Sequence, residues 1–127
     1  MFTRRTMFAI AALSFGAPAV WAGDFPNRAI TLVVPNAAGG PTDQLARGIG
    51  SYMSQVLKQA VVVDNRPGGA AQLAVNVLKQ APADGHTILI GDVPSLSTNI
   101  GLFAKLSYDP RKDLQPVTQL TVAPSLF

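Results

Sequence analysis

ITLVVPNAAGGPTDQLAR, Ile30–Arg47, decides the fold. Ile30 to Val34 is apolar on both faces, the pattern of a central strand in a parallel sheet. Pro35 ends it, and Ala37, Ala38, Gly39 and Gly40 follow with almost no side chain. Pro41 suits the first position of a helix, and Thr42 and Asp43 fall in a first turn that favours polar and acidic groups. Leu45, Ile49, Tyr52, Met53 and Val56 then recur at helical spacing, predicting a helix from Pro41 to about Gln59 with these five as its apolar stripe. Gly48 and Gly50 cost that helix roughly 1 kcal/mol each relative to alanine, a loss that close packing on a sheet would offset.

Outward from this unit the same alternation repeats. Ala60–Val63 reads as a second strand, Asn65 to Gly69 as a turn, and Ala70–Gln80 as a second helix with Leu73, Val77, Leu78 and Ala81 on one face. Pro82 to Gly85 is a turn, and His86–Ile90 a third strand. A polar loop covers residues 92–101, a connector leads through Tyr108-Asp109-Pro110, and Val117–Val122 reads as a fourth strand. Strands alternating with helices predict an α/β fold, a parallel sheet with flanking helices.

The ends of the chain carry other signals. Met1 to Arg5 is a short basic head, Met7 to Phe15 is apolar, Pro18 breaks the run, and Val20-Trp21-Ala22 forms a small-residue cleavage site. Residues 1–22 are therefore expected to be an export signal, with 23–127 the mature part. The apolar run is shorter than the roughly 20 residues a membrane span needs. Arg4 and Arg5 leave with the signal, so the mature part carries 8 basic residues against 7 aspartates, a net charge of +1 scattered singly. No basic patch is present for nucleic acid. The 127-residue chain has no cysteine and one histidine, which removes disulfides, thiol nucleophiles and thiolate metal sites. The closing VTQLTVAPSLF stops on apolar residues, as a chain does in mid-element, and is read as the end of the N-terminal part of a longer protein.

Ligands of open α/β sheets bind beyond the carboxyl ends of the strands. Two loops lie there: Pro35–Thr42 and Gly91–Asn99. Bare amides in the first, backed by the positive end of a helix, suit an anion; the alternative is a plain tight turn whose glycines only permit the backbone angles. No lysine follows Gly39–Gly40 and no G-x-G-x-x-G is present, so carboxylate gains over phosphate. Asp43 is read as an acid or base, a ligand contact or only a first-turn residue, His86 as structural, and Arg66 as a turn-fixing ion pair or a solvated side chain rather than an anion contact. There is no G-x-S-x-G, no second histidine and no apparent carboxylate pair, so no catalytic, metal or cofactor site is expected.

FPNRAITLVVPNAAGGPTDQLAR, VVVDNRPGG, APADGHTILIGD and LFAKLSYDPRKDLQPVTQL, in that order, resemble the first part of solute-binding proteins of the tripartite tricarboxylate transporter system. The resemblance implies the first lobe of a two-lobed periplasmic-binding-protein-like fold, ending near the first crossover between lobes. It implies a receptor that captures a small organic acid or amino acid carboxylate and delivers it to a membrane permease without chemistry. Carried over, the first binding loop falls on Asn36, Ala37, Ala38, Gly39, Gly40, Thr42 and Asp43, whose amides hold the carboxylate. The second falls on Asp92 to Thr98, where Val93 and Pro94 depart from the family's small residues, leaving Ser95 and Ser97 as contacts. An exported α/β enzyme acting on an anionic substrate, or a non-functional receptor remnant, are the alternatives.

Overall fold

The computed structural model describes residues 24–122. The export signal read at residues 1–22 lies outside them. No helix among the described residues is long and apolar enough to cross a membrane.

The centre of the sheet is β1, Ile30–Val34, flanked by β2, Val61–Asn65, and β3, Thr87–Leu89, in the order β2-β1-β3. Both pairings are parallel, with Leu32 opposite Val63 on one side and Ile88 on the other. Being central, β1 is covered on both faces: Ile30, Leu32, Val33 and Val34 are almost wholly buried. Each such side chain contributes about 1.5–3 kcal/mol relative to exposure. Ile30, Leu32 and Val34 point to one face and meet Ala46, Met53 and Leu57 of α1, Pro41–Leu57. Helix α2, Gln72–Gln80, packs against β1 and β3 and buries Ala74 and Val75. Its expected face differs, since Leu73 is exposed and Val77 and Leu78 are only half-buried.

The apolar stripe expected on α1 is rotated. Tyr52 and Val56 are exposed, and the buried positions are Asp43, Ala46 and Gly50. The helix lies so close to the sheet that its small residues make the contact: a Cβ at Gly50 would stand 3.3 Å from Val61 Cγ1 and 3.4 Å from Leu32 Cδ1, whereas one at Gly48 would meet nothing within 4 Å. Close packing therefore accounts for Gly50 and not for Gly48.

β2 begins and ends later than expected, which brings Asn65 into the sheet beside the end of β1. The loop after β3 is largely helical. It forms a π-helical turn at Pro94–Thr98 that runs into α3, Asn99–Leu102; α4, Pro110–Asp113, follows. The fourth strand expected over Val117–Val122 is absent. Those residues have no regular secondary structure and pair with no strand among the described residues, and Val117 and Val122 are largely exposed. Their β-branched composition favours a strand, but a strand exists only where a ladder partner completes its backbone bonds.

Candidate functional site

The loop between β1 and α1 lies at the carboxyl end of the central strand, and it is braced from both sides. Gly40 caps α1 in an extended conformation without a side-chain hydrogen bond, and Pro41 follows at a helix position that needs no N–H. Gly39 takes φ +85°, a left-handed conformation open to glycine. One turn into the helix, Asp43 turns back beneath the loop. Its Oδ2 accepts the Gly39 N–H at 2.9 Å and the Arg47 Nε–H at 2.9 Å. A second Arg47 nitrogen reaches Asn65 Oδ1 at 3.4 Å, and Asn65 Nδ2 donates to the Asn36 carbonyl at 3.1 Å. The start of the loop is thus held by β2 and its tip by α1.

Asp43 is buried, with 3% of its side chain exposed, while Arg47 lies 56% exposed above it. The hydrogen bond from Arg47, then that from Gly39, hold the Asp43 carboxyl at about 2, against burial that pushes it up. Its Oδ1 is buried and without a hydrogen bond of good geometry, as is Asn36 Oδ1; the Asn65 amide adds a smaller downward effect on the Asp43 carboxyl.

This arrangement divides the loop's donors. The Gly39 amide is committed to Asp43, and the Gly40 amide to the Ala37 carbonyl at 3.4 Å. Among the described residues, the amides of Ala37, Ala38, Thr42 and Asp43 have no protein acceptor. Ala37, Ala38 and Gly39 are exposed, so among the described residues nothing covers that face of the loop.

At the second loop, Asp92 and Ser95 exchange hydrogen bonds. Ser95 N–H donates to Asp92 Oδ1 at 3.0 Å, Asp92 N–H to Ser95 Oγ at 2.9 Å, and the Ser95 hydroxyl to the Asp92 carbonyl at 3.0 Å. Ser95 is fully buried and its hydroxyl is bonded within the loop, so in this conformation it shapes the loop. Ser97 is exposed, and it shares one open cleft of about 1710 Å³ with Thr42; Leu32, Leu45, Ile49 and Ile88 form part of the apolar floor. The structure thus brings Thr42 and Ser97 to a common space.

Beneath the second loop is a polar cluster that local pattern did not indicate. Tyr108 Oη donates to the Ser95 carbonyl at 2.7 Å, and Asn99 Nδ2 donates to Tyr108 Oη at 3.1 Å and to the Ala70 carbonyl. Tyr108 is buried, so the segment read as a connector anchors the π-helical turn. The roles of Arg47 and Asn65 were likewise unread. The Asp43/Arg47 spacing of four was a signal for the first; only the register of β2 places the second.

The remaining titratable groups have structural positions. His86 is buried in a T-shaped contact with Phe25, and its backbone N–H donates to Asp84 Oδ1. Arg66 grips both oxygens of Asp64 at 3.0 and 2.9 Å, fixing the turn as expected. Among the described residues, no three His, Asp or Glu side chains cluster to hold a metal ion.

Several known proteins share this sequence and arrangement. Residues 45–127 match the profile of a family described as "Tripartite tricarboxylate transporter family receptor". A solved structure described as a periplasmic transporter superposes with a TM-score of 0.71 at 40% identity, covering 74% of this chain and 32% of that one. MatC from Rhodopseudomonas palustris, solved with bound malate, gives 0.67 at 42% identity over 70% of this chain and 30% of its own. The R. palustris protein Rpa4515, solved with adipate, gives 0.66 at 41% over 69% and 29%. The chain spans about a third of the length of the curated relatives it matches, 30% of one that is 39% identical over 103 residues. With the profile match spanning most of the chain and the sheet and helices superposing on such proteins, the chain belongs to the tripartite tricarboxylate transporter receptor family.

Proposed function

We propose that the protein is part of a periplasmic receptor that captures a small organic acid or amino acid by its carboxylate and passes it unchanged to a membrane permease. The observation that carries this reading is the set of amides without a protein acceptor at Ala37 and Ala38, on the exposed loop, and at Thr42 and Asp43, in the first turn of α1 at its positive end. A carboxylate is the natural occupant: it accepts several N–H bonds at once, and no lysine stands where a phosphate loop would require one. Two neighbours above 40% identity are solved with the dicarboxylic acids malate and adipate, which supports the same class of ligand here. The basic head and apolar run of residues 1–22 support export, and the family's description as a transporter receptor supports a permease partner.

Magnitudes bound what this chain does alone. A carboxylate at a helix end gains about 0.3–2 kcal/mol. Micromolar affinity needs about 8 kcal/mol. In a two-lobed receptor the difference comes from the second loop and from closure of the opposite lobe, so this chain by itself is expected to bind in the millimolar range or weaker. Saturation-transfer NMR suits such affinities. Malate, adipate, citrate and aspartate are expected to receive saturation from the protein, and their uncharged diol and diamide analogues to receive none. The acids' own spectra are expected to stay unchanged over a day. Equal transfer to the uncharged analogues would remove the anion reading, and new product resonances would favour an exported enzyme.

A further inference from the structure

The anion loop contains an apparent contradiction: a buried carboxylate lies directly beneath it. Asp43 Oδ2 is 2.9 Å from the Gly39 nitrogen, at the tip of a loop proposed to attract negative charge. An unbalanced carboxylate there would repel any anion approaching the neighbouring free amides, because low-dielectric surroundings lengthen the reach of a charge. Two facts resolve the contradiction. The same Oδ2 accepts Arg47 Nε at 2.9 Å, and the Arg47 guanidinium is itself steered by Asn65 Oδ1 at 3.4 Å. The arginine therefore lies over the carboxylate, directed by β2, and is more than a surface partner at helical spacing.

Resting on the carboxylate reading above, we infer that Arg47 is the charge-balancing positioning residue of the anion loop. It pins Asp43 beneath the Gly39 amide and cancels the carboxylate's negative field, so that the free amides of Ala37, Ala38 and Thr42 present a net positive face to the solute. Arg47 does this without touching solute. Asp43 contributes geometry, as acceptor of the Gly39 N–H, while its charge works against binding. Its second oxygen fits this division: Oδ1 is buried without a hydrogen bond of good geometry, and the Asn65 amide beside the carboxyl has a smaller effect than Arg47, so Arg47 is the main compensation of the charge.

The two residues thus have opposite effects on an anion. In Arg47→Met the carboxylate is uncompensated, and affinity falls. In Asp43→Asn the side-chain oxygen still accepts the Gly39 N–H, the charge is gone and Arg47 is left unbalanced, so affinity rises. The double variant carries neither charge and returns close to the parent.

The test is an acetate titration at pH 7, followed through the backbone amide resonances of residues 37–40, 42 and 43 in all four proteins. Melting curves are recorded beside each titration. The expected result is a dissociation constant raised about fivefold or more in Arg47→Met, lowered about twofold or more in Asp43→Asn, and within about twofold of the parent in the double variant. Raising the salt concentration shrinks all three differences. If Asp43→Asn binds acetate more weakly than the parent while folded, Asp43 is a contact or a purely structural support and the inference is overturned. This variant decides the matter even if Arg47→Met does not fold. If Arg47→Met folds and binds as the parent does, the inference fails and the loop reading stands. If the parent shows no acetate effect at these amides, the loop reading fails, and this inference with it.

Discussion

Asp43 shows how one side chain can set both a loop's shape and its response to acid. Its carboxyl is held at about 2 first by Arg47 and then by the Gly39 amide, and Asp84 is held at about 2 first by the His86 amide and then by Arg28. In an unfolded chain both titrate near 3.9. Their folded values are depressed, so the stability they contribute is fully present above about pH 4 and is lost as pH falls toward about 2. The Arg28–Asp84 pair is exposed on both sides, so solvent screens it and Asp43 is the stronger contributor. The urea midpoint is expected to hold steady from pH 7 to 5 and to fall between pH 4 and 2.5, with part of that fall missing in Asp43→Asn. A midpoint unchanged down to pH 2.5 would mean that neither pair forms in solution.

At the scale of elements, α1 separates what the sequence shows from what it hides. Its start was legible to the residue, because Pro41 and the acidic first turn mark it and Gly40 caps it. Its buried face was not, because hydrophobic periodicity weighs large apolar side chains, and the contact with the sheet is made through Ala46 and Gly50. Leu45 and Ile49 border the open cleft, and Tyr52 and Val56 face away from the core. The two helix glycines therefore call for opposite outcomes. Gly48→Ala, in open space, should raise the unfolding free energy by about 0.5–1 kcal/mol. Gly50→Leu should lower it by about 1–3 kcal/mol, because Val61 and Leu32 leave no room beyond the Cβ. Chemical denaturation of both variants measures the difference, and equal effects would contradict the packing described. The fourth strand was misread for a complementary reason: β-branched residues report a propensity, and pairing is a property of the sheet. The capping exchange between Asp92 and Ser95 has a readable spacing of three. The bonds of Tyr108 and Asn99 to residues 13 and 29 positions away have no local signature.

For the whole molecule, the parallel order β2-β1-β3 delivers both candidate loops to one end of the sheet, and the open cleft connects Thr42 to Ser97. The fold and the first loop's position were legible because a strand, a small-residue turn and a capped helix follow one another without interruption. Which amides of that loop are free was not, since it depends on Asp43 consuming one of them. The central claim is that the unpaired amides of this loop receive the solute's carboxylate. Amide-resolved NMR of the protein titrated with malate tests it most directly. The account predicts the largest shifts at Ala37, Ala38, Thr42 and Asp43, a smaller one at Gly39, whose amide is already bonded, and saturation in the millimolar range. Shifts centred elsewhere, with residues 36–43 unmoved at saturating malate, would contradict it.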